Sequence, residues 1–325
     1  MAVFTTLTPL EVRKELPDFN IGELLSLEPI ASGIENTKYF LDTTEGRWVL
    51  TVFERLSESQ LPFYLELCAH LRSQGCPVAA PVRTKSGQLF SHIKGKPFSI
   101  ANRLEGRSIE NVTAKECASM GEVLARMHIA AQGFSLFQEN LRGPQWWQAT
   151  APVVLPHLDP TVGAMLSEEV NHQLTVFSDS QFQALPVAAC HCDLFRNNAM
   201  IVGHGTEQEH VSGVFDFYFA GCTALLFDVA VTVNDWCTDF ESPDLHLDPR
   251  KTEAFLRAYH AVLPFTDAKR RWWPDMLRAA ALRFWLSRLY DFYQPRKASL
   301  LKPHDPTYFE RILRNRKRVT FPLVD

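Results

Sequence analysis

Hydrophobic and polar positions in the first hundred residues follow a pattern that predicts a small sheet carrying one helix. Segments rich in aromatic and β-branched residues predict four strands, and a Thr-Thr-Glu-Gly turn joins the first two. These strands are expected at residues 38–42, 47–54, 89–93 and 98–102. Between the second and third, apolar residues at helical spacing predict a helix over residues 61–74, which Gly75 and Pro77 would end.

From Thr113 onward the pattern changes to helical spacing. Thr113 and Glu116 have the spacing of a capping box, and apolar residues follow on one face of the predicted helix. Residues 142–156, rich in proline and tryptophan, are interpreted as a connector. Short strands are expected at 199–202 and 211–216, and helices at 251–262 and 274–293. We therefore expect an α+β protein with two lobes, a strand-rich lobe over 1–102 and a larger, mainly helical lobe over 103–325.

Composition narrows the class of protein. The 325 residues are 46% apolar and 22% charged, which excludes disordered, collagen-like and coiled-coil proteins. A net charge of −4 argues against a nucleic-acid partner, and the basic run 311–318 is interpreted as a solvated helix face. No stretch predicts a membrane partner or a signal peptide. The seven cysteines match no disulfide or zinc spacing, so we expect reduced thiols and a cytoplasmic location; the oligomeric state is left open.

The clearest chemical signal lies in residues 191–198, His-Cys-Asp-Leu-Phe-Arg-Asn-Asn. A kinase catalytic loop has this layout, with His two residues before Asp193 and Asn198 five residues after it. The Asp orients an acceptor hydroxyl and takes its proton, and the Asn carbonyl binds Mg²⁺. Asp216, at the end of a predicted strand, would supply the second oxygen ligand that a hard cation bridging two phosphates needs. The sequence therefore predicts a phosphoryl-transfer site with Asp193, Asn198 and Asp216 as its catalytic residues, the last two holding the metal.

This loop, followed by Phe-Asp-Phe, resembles the aminoglycoside phosphotransferase and choline kinase superfamily, a branch of the protein-kinase-like fold. Within it the chain is similar, over nearly its whole length, to the homoserine kinases of bacterial threonine biosynthesis. The segments that carry this narrower resemblance are residues 32–37 (Ser-Gly-Ile-Glu-Asn-Thr), 48–55, 61–64, 191–196, 216–220 and 228–236. The resemblance implies ATP and Mg²⁺ as cofactors, nucleotide binding by the N-terminal lobe and adenine near residues 102–105. It also implies that Asp228 holds the catalytic loop by hydrogen bonds.

Two positions depart from the superfamily pattern. Cys192 stands where most relatives carry glycine. Thr51 stands on the strand where kinases carry the lysine that binds the nucleotide phosphates. Either another cation replaces that charge, with Lys38 and Arg55 the nearest candidates, or Mg²⁺ and backbone N–H groups bind more of the phosphate charge. The nucleotide-binding candidates implied by the resemblance are Gly33, Asn36, Lys38, Thr51, Glu66, Asn102 and Leu104. For Glu66, a solvated position on a helix face is an equally good interpretation.

The acceptor implied by the resemblance, L-homoserine, is a zwitterion, and its carboxylate calls for an arginine. Arg283 lies on a predicted buried helix beside small residues and has no acidic residue one turn away, so it is the first candidate; a salt bridge to a residue distant in sequence would explain its charge nearly as well. The other substrate-binding candidates are Arg196, Tyr218, Asp235 and Trp236. Arg288 has Asp291 three residues later, which suggests a local ion pair. The alternatives are a kinase for choline, ethanolamine, hydroxylysine or an aminoglycoside, and a catalytically silent nucleotide-binding module.

Overall fold

A computed structural model describes residues 5–30, 36–294, 304–319 and 321–324. The chain divides into two compact units. The first is formed by the described residues up to Glu105 together with Gly213–Phe215, and the second by Gly106–Ser212 and the described residues after Phe215. Gly33, a candidate of the sequence analysis, lies outside the described residues.

The first unit contains a five-stranded antiparallel sheet and two helices. In chain order these are α1 (Pro9–Glu15), β1 (Leu24–Ile30), β2 (Thr37–Thr43), β3 (Gly46–Val52), α2 (Leu61–Ser73), β4 (Ser91–Ile93) and β5 (Lys96–Asn102). The strand order is β1-β2-β3-β5-β4. Alternate residues of β2 and β3, such as Tyr39, Leu41 and Leu50, enter a core shared with α1, as the period of two requires. The sequence pattern missed β1 because only one residue of this edge strand, Leu24, is buried and the strand contains Pro29.

The second unit is mainly helical and carries two short strand pairs. Its elements are α3 (Ala114–Ala131), α4 (Pro144–Val154), α5 (Pro160–Ser178), α6 (Ser180–Gln183), β6 (Val187–Cys190), β7 (Ala199–Val202), β8 (His210–Val214, of which the last two residues belong to the first unit), β9 (Gly221–Ala224), α7 (Leu225–Trp236), α8 (Pro249–Val262), α9 (Asp267–Tyr293) and α10 (Thr307–Arg318). Strand β6 pairs with β9 and β7 with β8. The capping box at Thr113 and Glu116 is confirmed, with both reciprocal hydrogen bonds present. No helix in the described part of the chain has the length and apolarity to cross a bilayer.

The predicted connector over residues 142–156 is wrong, because most of this segment forms helix α4. Pro144 occupies the first helical turn, where the missing N–H costs nothing. Trp147 is fully buried and packs edge-on against Phe177 with ring centroids 5.2 Å apart. The bulky apolar residues of this segment therefore belong to the core.

The long C-terminal helix begins earlier than predicted. Thr266 caps α9 by accepting a hydrogen bond from the N–H of Lys269, and Pro274 lies inside the helix rather than at its start. Packing against α4, α7 and α10 supports the helix through the proline.

The basic run 311–318 is only partly the solvated face that its sequence suggests. Arg316 is buried and binds Asn234 Oδ1 at 2.9 Å and Thr238 Oγ1 at 2.8 Å. Burial lowers the pKa of Arg316 to about 10, which still leaves it charged at neutral pH. The prediction failed at this residue because a buried polar lining receives the guanidinium. Asn234 and Thr238 provide part of this lining.

Candidate active site

The predicted catalytic loop lies between β6 and β7. The Asn198 amide nitrogen donates to the Asp193 carbonyl at 2.8 Å, and the N–H of Phe195 donates to the same carbonyl at 2.8 Å. This use of the nitrogen leaves the amide oxygen of Asn198 as its ligand atom for a cation. The side chain of Asp193 is 20% exposed, which is enough to meet an acceptor from solvent.

Asp228 holds this loop by hydrogen bonds, as the family resemblance implied. Its buried carboxylate accepts hydrogen bonds from the N–H groups of His191 at 2.9 Å and Cys192 at 2.8 Å. His128 Nε2 lies 3.1 Å from the same carboxylate, and His128 Nδ1 lies 2.8 Å from the Tyr259 hydroxyl. Burial alone would raise the pKa of Asp228, but the hydrogen bond from His128 and the N–H of Cys192 lower it overall. Each carboxylate oxygen of Asp228 thus accepts a hydrogen bond from the backbone of the catalytic loop.

Two non-glycine residues of the site adopt the left-handed backbone conformation. Cys192 has φ +61°, which explains why glycine is common at this position in the superfamily. Its buried Sγ lies 3.8 Å from the carbonyl oxygen of Gly221. Asp216 has φ +69° and ψ +52° and turns the chain between β8 and the short 3-10 turn Phe217–Phe219. Asp tolerates this conformation better than most residues, since its short polar side chain bonds locally.

Aromatic packing joins the loops of Asp193 and Asp216. The ring of His191 packs on Phe217 with centroids 4.5 Å apart, and Phe217 follows Asp216 directly. The carboxylate of Asp216 and the amide of Asn198 therefore come from two neighbouring loops of the same unit. Oxygen donors of this kind fit Mg²⁺, which prefers carboxylate and carbonyl ligands.

Arg283 on α9 lies beside the predicted base. Its Nη2 is 3.7 Å from Asp193 Oδ1, and its side chain is 5% exposed. The guanidinium stacks on Phe284 at 3.8 Å and lies 5.2 Å from the ring of Phe219. The apolar pattern of this helix predicted that Arg283 is buried, and the structure confirms that burial.

The other four substrate-binding candidates differ in their burial and in their hydrogen-bond partners. Arg196 and Asp235, expected as separate binding residues, bind each other, with Nε 3.0 Å from Oδ2, and the N–H of Arg196 also donates to that oxygen at 2.8 Å. Trp236 is fully buried and donates its indole N–H to the carbonyl of Leu194 at 3.1 Å. The direct substrate contact expected of Trp236 is therefore wrong, since the ring supports the catalytic loop from the core. Tyr218 is half-buried in the turn after Asp216.

Among the nucleotide candidates, Lys38 has the most informative position. It lies directly opposite Thr51 in the pairing of β2 with β3, so the two side chains share one face of the sheet. Thr51 is buried, and Asn36 is buried with its Oδ1 accepting from the N–H of Glu54 at 3.4 Å. Thr51 stands where kinases carry the phosphate-binding lysine, and its cross-strand neighbour, Lys38, is a cation.

Three other nucleotide candidates have local structural partners. Glu66 forms a two-point ion pair with Arg83, at 2.7 and 3.2 Å, which accounts for its charge on the surface of the first unit. Asn102 Oδ1 accepts from the N–H of Ala80 at 2.9 Å. Leu104 packs closely against Gly213, where an added Cβ would lie 2.6 Å from its methyl groups. For Glu66, the pair with Arg83 on the surface favours the alternative interpretation of a solvated helix face.

A stack of three phenylalanine rings borders the catalytic loop and was missed by the sequence analysis. Phe195 packs on Phe284 at 4.4 Å and on Phe309 at 6.0 Å, and Phe284 packs on Phe309 at 5.1 Å. The guanidinium of Arg288 lies on this stack, 4.4 Å from the ring of Phe309. The spacing of Phe284 and Arg288, four residues apart on one helix, was the available signal.

Comparison with known proteins places the chain in a family. A family model described as "Phosphotransferase enzyme family" matches residues 26–286. The chain is 51% identical over 320 residues to the homoserine kinase of Cupriavidus necator, covering 97% of this chain and 96% of the relative. It is 47% identical over 319 residues to the homoserine kinase of Burkholderia ambifaria, with 97% and 96% covered.

Solved structures confirm the expected fold class. An amicoumacin kinase matches with a TM-score of 0.68 and 15% identity, over 95% of this chain and 92% of that one. A microcompartment-associated aminopropanol kinase matches with a TM-score of 0.59 and 16% identity, over 95% of both chains. At these identities the likeness shows the protein-kinase-like α+β fold and nothing finer about the acceptor.

Proposed function

The chain belongs to the phosphotransferase enzyme family, and on this basis we propose that it transfers the γ-phosphoryl group of ATP to the side-chain hydroxyl of L-homoserine, forming O-phospho-L-homoserine and ADP. The observation that carries the proposal is the meeting of Asp193 with Arg283, at 3.7 Å. A base for the hydroxyl and a cation for a carboxylate stand side by side, as an amino-acid alcohol requires. Homoserine kinase is also the name of relatives about half identical to this chain.

In this proposal Asp193 accepts a hydrogen bond from the homoserine hydroxyl and takes its proton as the oxygen bonds to the γ-phosphorus. The bond from that phosphorus to the bridging oxygen of ADP breaks in the same displacement, so ADP leaves with the electron pair. The hydrogen bonds of Asp228 to the loop N–H groups fix the backbone that carries Asp193. Chemistry of this kind depends on positioning more than on covalent assistance.

Asn198 and Asp216 are the proposed ligands of Mg²⁺. When bound, the cation would neutralise charge on the β and γ phosphates. Their fit rests on donor type, since an amide oxygen and a carboxylate on two adjoining loops are the ligands that a hard cation prefers. Lys38 is proposed to supply the phosphate-binding charge absent at Thr51, on the strength of its cross-strand position.

Arg283 is proposed to bind the substrate carboxylate. Arg196 is a weaker candidate because Asp235 pairs with it more closely, at 3.0 Å, than Asp193 pairs with Arg283, at 3.7 Å. Tyr218 and the Arg196–Asp235 pair remain proposals for the ammonium side of the acceptor, where a carboxylate or a hydroxyl would be the partner.

The reaction implies a role in threonine biosynthesis in the cytoplasm. All seven cysteines are free, which is typical of a reducing compartment and supports this location.

The proposal is tested by coupled ADP release with ATP and Mg²⁺ over a panel of acceptors. L-Homoserine should be the preferred acceptor by kcat/KM, ahead of choline, ethanolamine, hydroxylysine and an aminoglycoside. A panel led by any of the other alcohols would replace homoserine as the substrate. A panel with no turnover on any acceptor would favour a silent nucleotide-binding module.

A further inference from the structure

Two guanidinium groups lie on the stack formed by Phe195, Phe284 and Phe309. Arg283 lies 3.8 Å above Phe284, and Arg288 lies 4.4 Å from the ring of Phe309. Because Phe195 belongs to the catalytic loop, two residues after Asp193, the stack fixes both arginines with respect to the base. Stacking on aromatic faces orients a guanidinium without using its N–H donors.

Arg288 lacks the ion pair that its sequence neighbour suggested. In the part of the chain that the structure describes, no carboxylate lies within 4 Å of its nitrogens, so the local pair expected with Asp291 is wrong. Its polar contact is a long one, from Nη1 to the carbonyl oxygen of Asp305 at 3.4 Å. Its second ring contact, Tyr308, lies 4.9 Å away. Most of the five N–H donors of this guanidinium are therefore not used by described protein groups.

The surroundings of Arg288 relate it to the catalytic loop. Burial lowers the pKa of its guanidinium, while the negative charges of Asp235, Asp305 and Asp193 act in the opposite direction. These carboxylates thus lie near enough to affect the pKa of Arg288, although none forms an ion pair with its guanidinium. Arg288 is half-buried rather than enclosed, so its donors are open to a small ligand. A partly desolvated cation without an anion is costly, and an anionic ligand would offset that cost.

We infer that Arg288 is a second binding residue for the acceptor and that, like Arg283, it binds the α-carboxylate of the substrate beside the Phe195–Phe284–Phe309 stack. The inference rests on the proposed function, because it requires an acceptor that has a carboxylate. It assigns discrimination between an amino acid and the matching amino alcohol to a pair of arginines one and a half turns apart on α9. Two forked cations bind one carboxylate more selectively than a single charge does.

The test compares three acceptors that differ by one group each. L-Homoserine has both charges, 4-hydroxybutanoate lacks the ammonium group, and 3-aminopropan-1-ol lacks the carboxylate. Arg288→Lys should raise KM about tenfold or more for homoserine and for 4-hydroxybutanoate, because a lysine cannot reproduce the fork. It should leave KM for ATP and kcat/KM for 3-aminopropan-1-ol within about twofold of wild type.

Arg271→Lys is the matched control. Arg271 also lies on α9 and packs on an aromatic ring, Trp272 at 4.9 Å, but its exposed side chain binds Gln181. This control should leave all three acceptors unchanged. Arg288→Gln, which removes the charge but keeps most of the stem, should give a larger KM effect than Arg288→Lys, and thermal unfolding shows whether each variant is folded.

The outcomes separate the two hypotheses. If wild type phosphorylates homoserine but the KM for homoserine is unchanged in both Arg288 variants, the inference is wrong and the proposed function stands. Equal losses with homoserine and with 3-aminopropan-1-ol would mean that Arg288 only supports the packing of α10, which also overturns the inference. A wild type with no turnover on homoserine overturns the proposed function, and the inference with it.

Discussion

The guanidinium of Arg283 lies 3.7 Å from the carboxylate of Asp193, although 90 residues separate them in the sequence. One stands on a buried helix and the other on the loop between β6 and β7. An acceptor whose carboxylate binds Arg283 would bring its own hydroxyl close to Asp193, since homoserine has only a short chain between the two groups. This relationship links recognition of an amino acid to the chemistry of its side chain.

Asp193→Asn should lower kcat by about 10²- to 10⁴-fold, because the amide cannot take the proton of the hydroxyl. The affinity for ATP, measured by calorimetry, should change little, since the substitution keeps the size of the side chain. A variant that keeps more than about a tenth of the wild-type kcat, equivalent to a barrier change under about 1.4 kcal/mol, would remove Asp193 from the role of base.

Asp216→Asn should lower turnover strongly, even at saturating Mg²⁺, while leaving the fold intact, because an amide oxygen lacks the negative charge that a carboxylate offers the cation. Asn tolerates the left-handed conformation of this position, at φ +69°, so the variant removes the charge without adding strain. Calorimetry should show that Mg²⁺ strengthens nucleotide binding much less than in wild type. An undiminished effect of Mg²⁺ on nucleotide affinity in this variant would show that Asp216 is not a metal ligand.

Cys192→Gly should keep wild-type kcat and a similar melting temperature. Glycine relieves a left-handed strain of about 1–2 kcal/mol, but it also loses a buried thiol and increases the entropy of the unfolded chain. Cys192→Val should lower both stability and kcat, because a β-branched residue fits φ +61° poorly next to the base. Parallel thermal unfolding and turnover assays would show this ordering, and equal behaviour of the two variants would contradict it.

Asp228→Asn should destabilise the protein by about 1–3 kcal/mol, since the amide nitrogen replaces one carboxylate oxygen and cannot accept from either the N–H of His191 or that of Cys192, whichever it faces. The pKa of Asp228 is lowered in the folded state, so its stabilising contribution is complete above the unfolded value near 3.9 and is lost as pH falls through the folded value. The difference in free energy of unfolding between wild type and variant should therefore be constant from about pH 7 to 5 and shrink below about pH 4. A difference that grows on acidification would have the wrong sign.

The sequence predicted best where a strong local pattern coincides with the fold. The hairpin of β2 and β3, helix α2 and the capping box of α3 follow from residue spacing and cap chemistry. The buried role of Asp228 followed from the family resemblance and is confirmed by its hydrogen bonds. Turns, helices and caps depend mainly on residues close together in the sequence, so they can be predicted without knowing the tertiary contacts.

The sequence predictions failed where contacts between distant elements determine the structure. Trp147 lies in a segment with the composition of a connector, yet its side chain is buried in the core and the segment forms helix α4. Arg316 belongs to a run of charges and is buried because a polar lining that includes Asn234 and Thr238 meets it. The mutual pairing of Arg196 with Asp235 joins residues far apart in sequence. No periodicity could reveal these partners, because each depends on how distant elements pack.

Transfer of phosphate to homoserine can be observed by ³¹P NMR of the wild-type protein incubated with ATP, Mg²⁺ and L-homoserine. A new phosphomonoester signal should grow in step with ADP, match authentic O-phospho-L-homoserine and be absent with Asp193→Asn. Formation of ADP together with free phosphate only, or a phosphorylated product only with acceptors that lack a carboxylate, would contradict it.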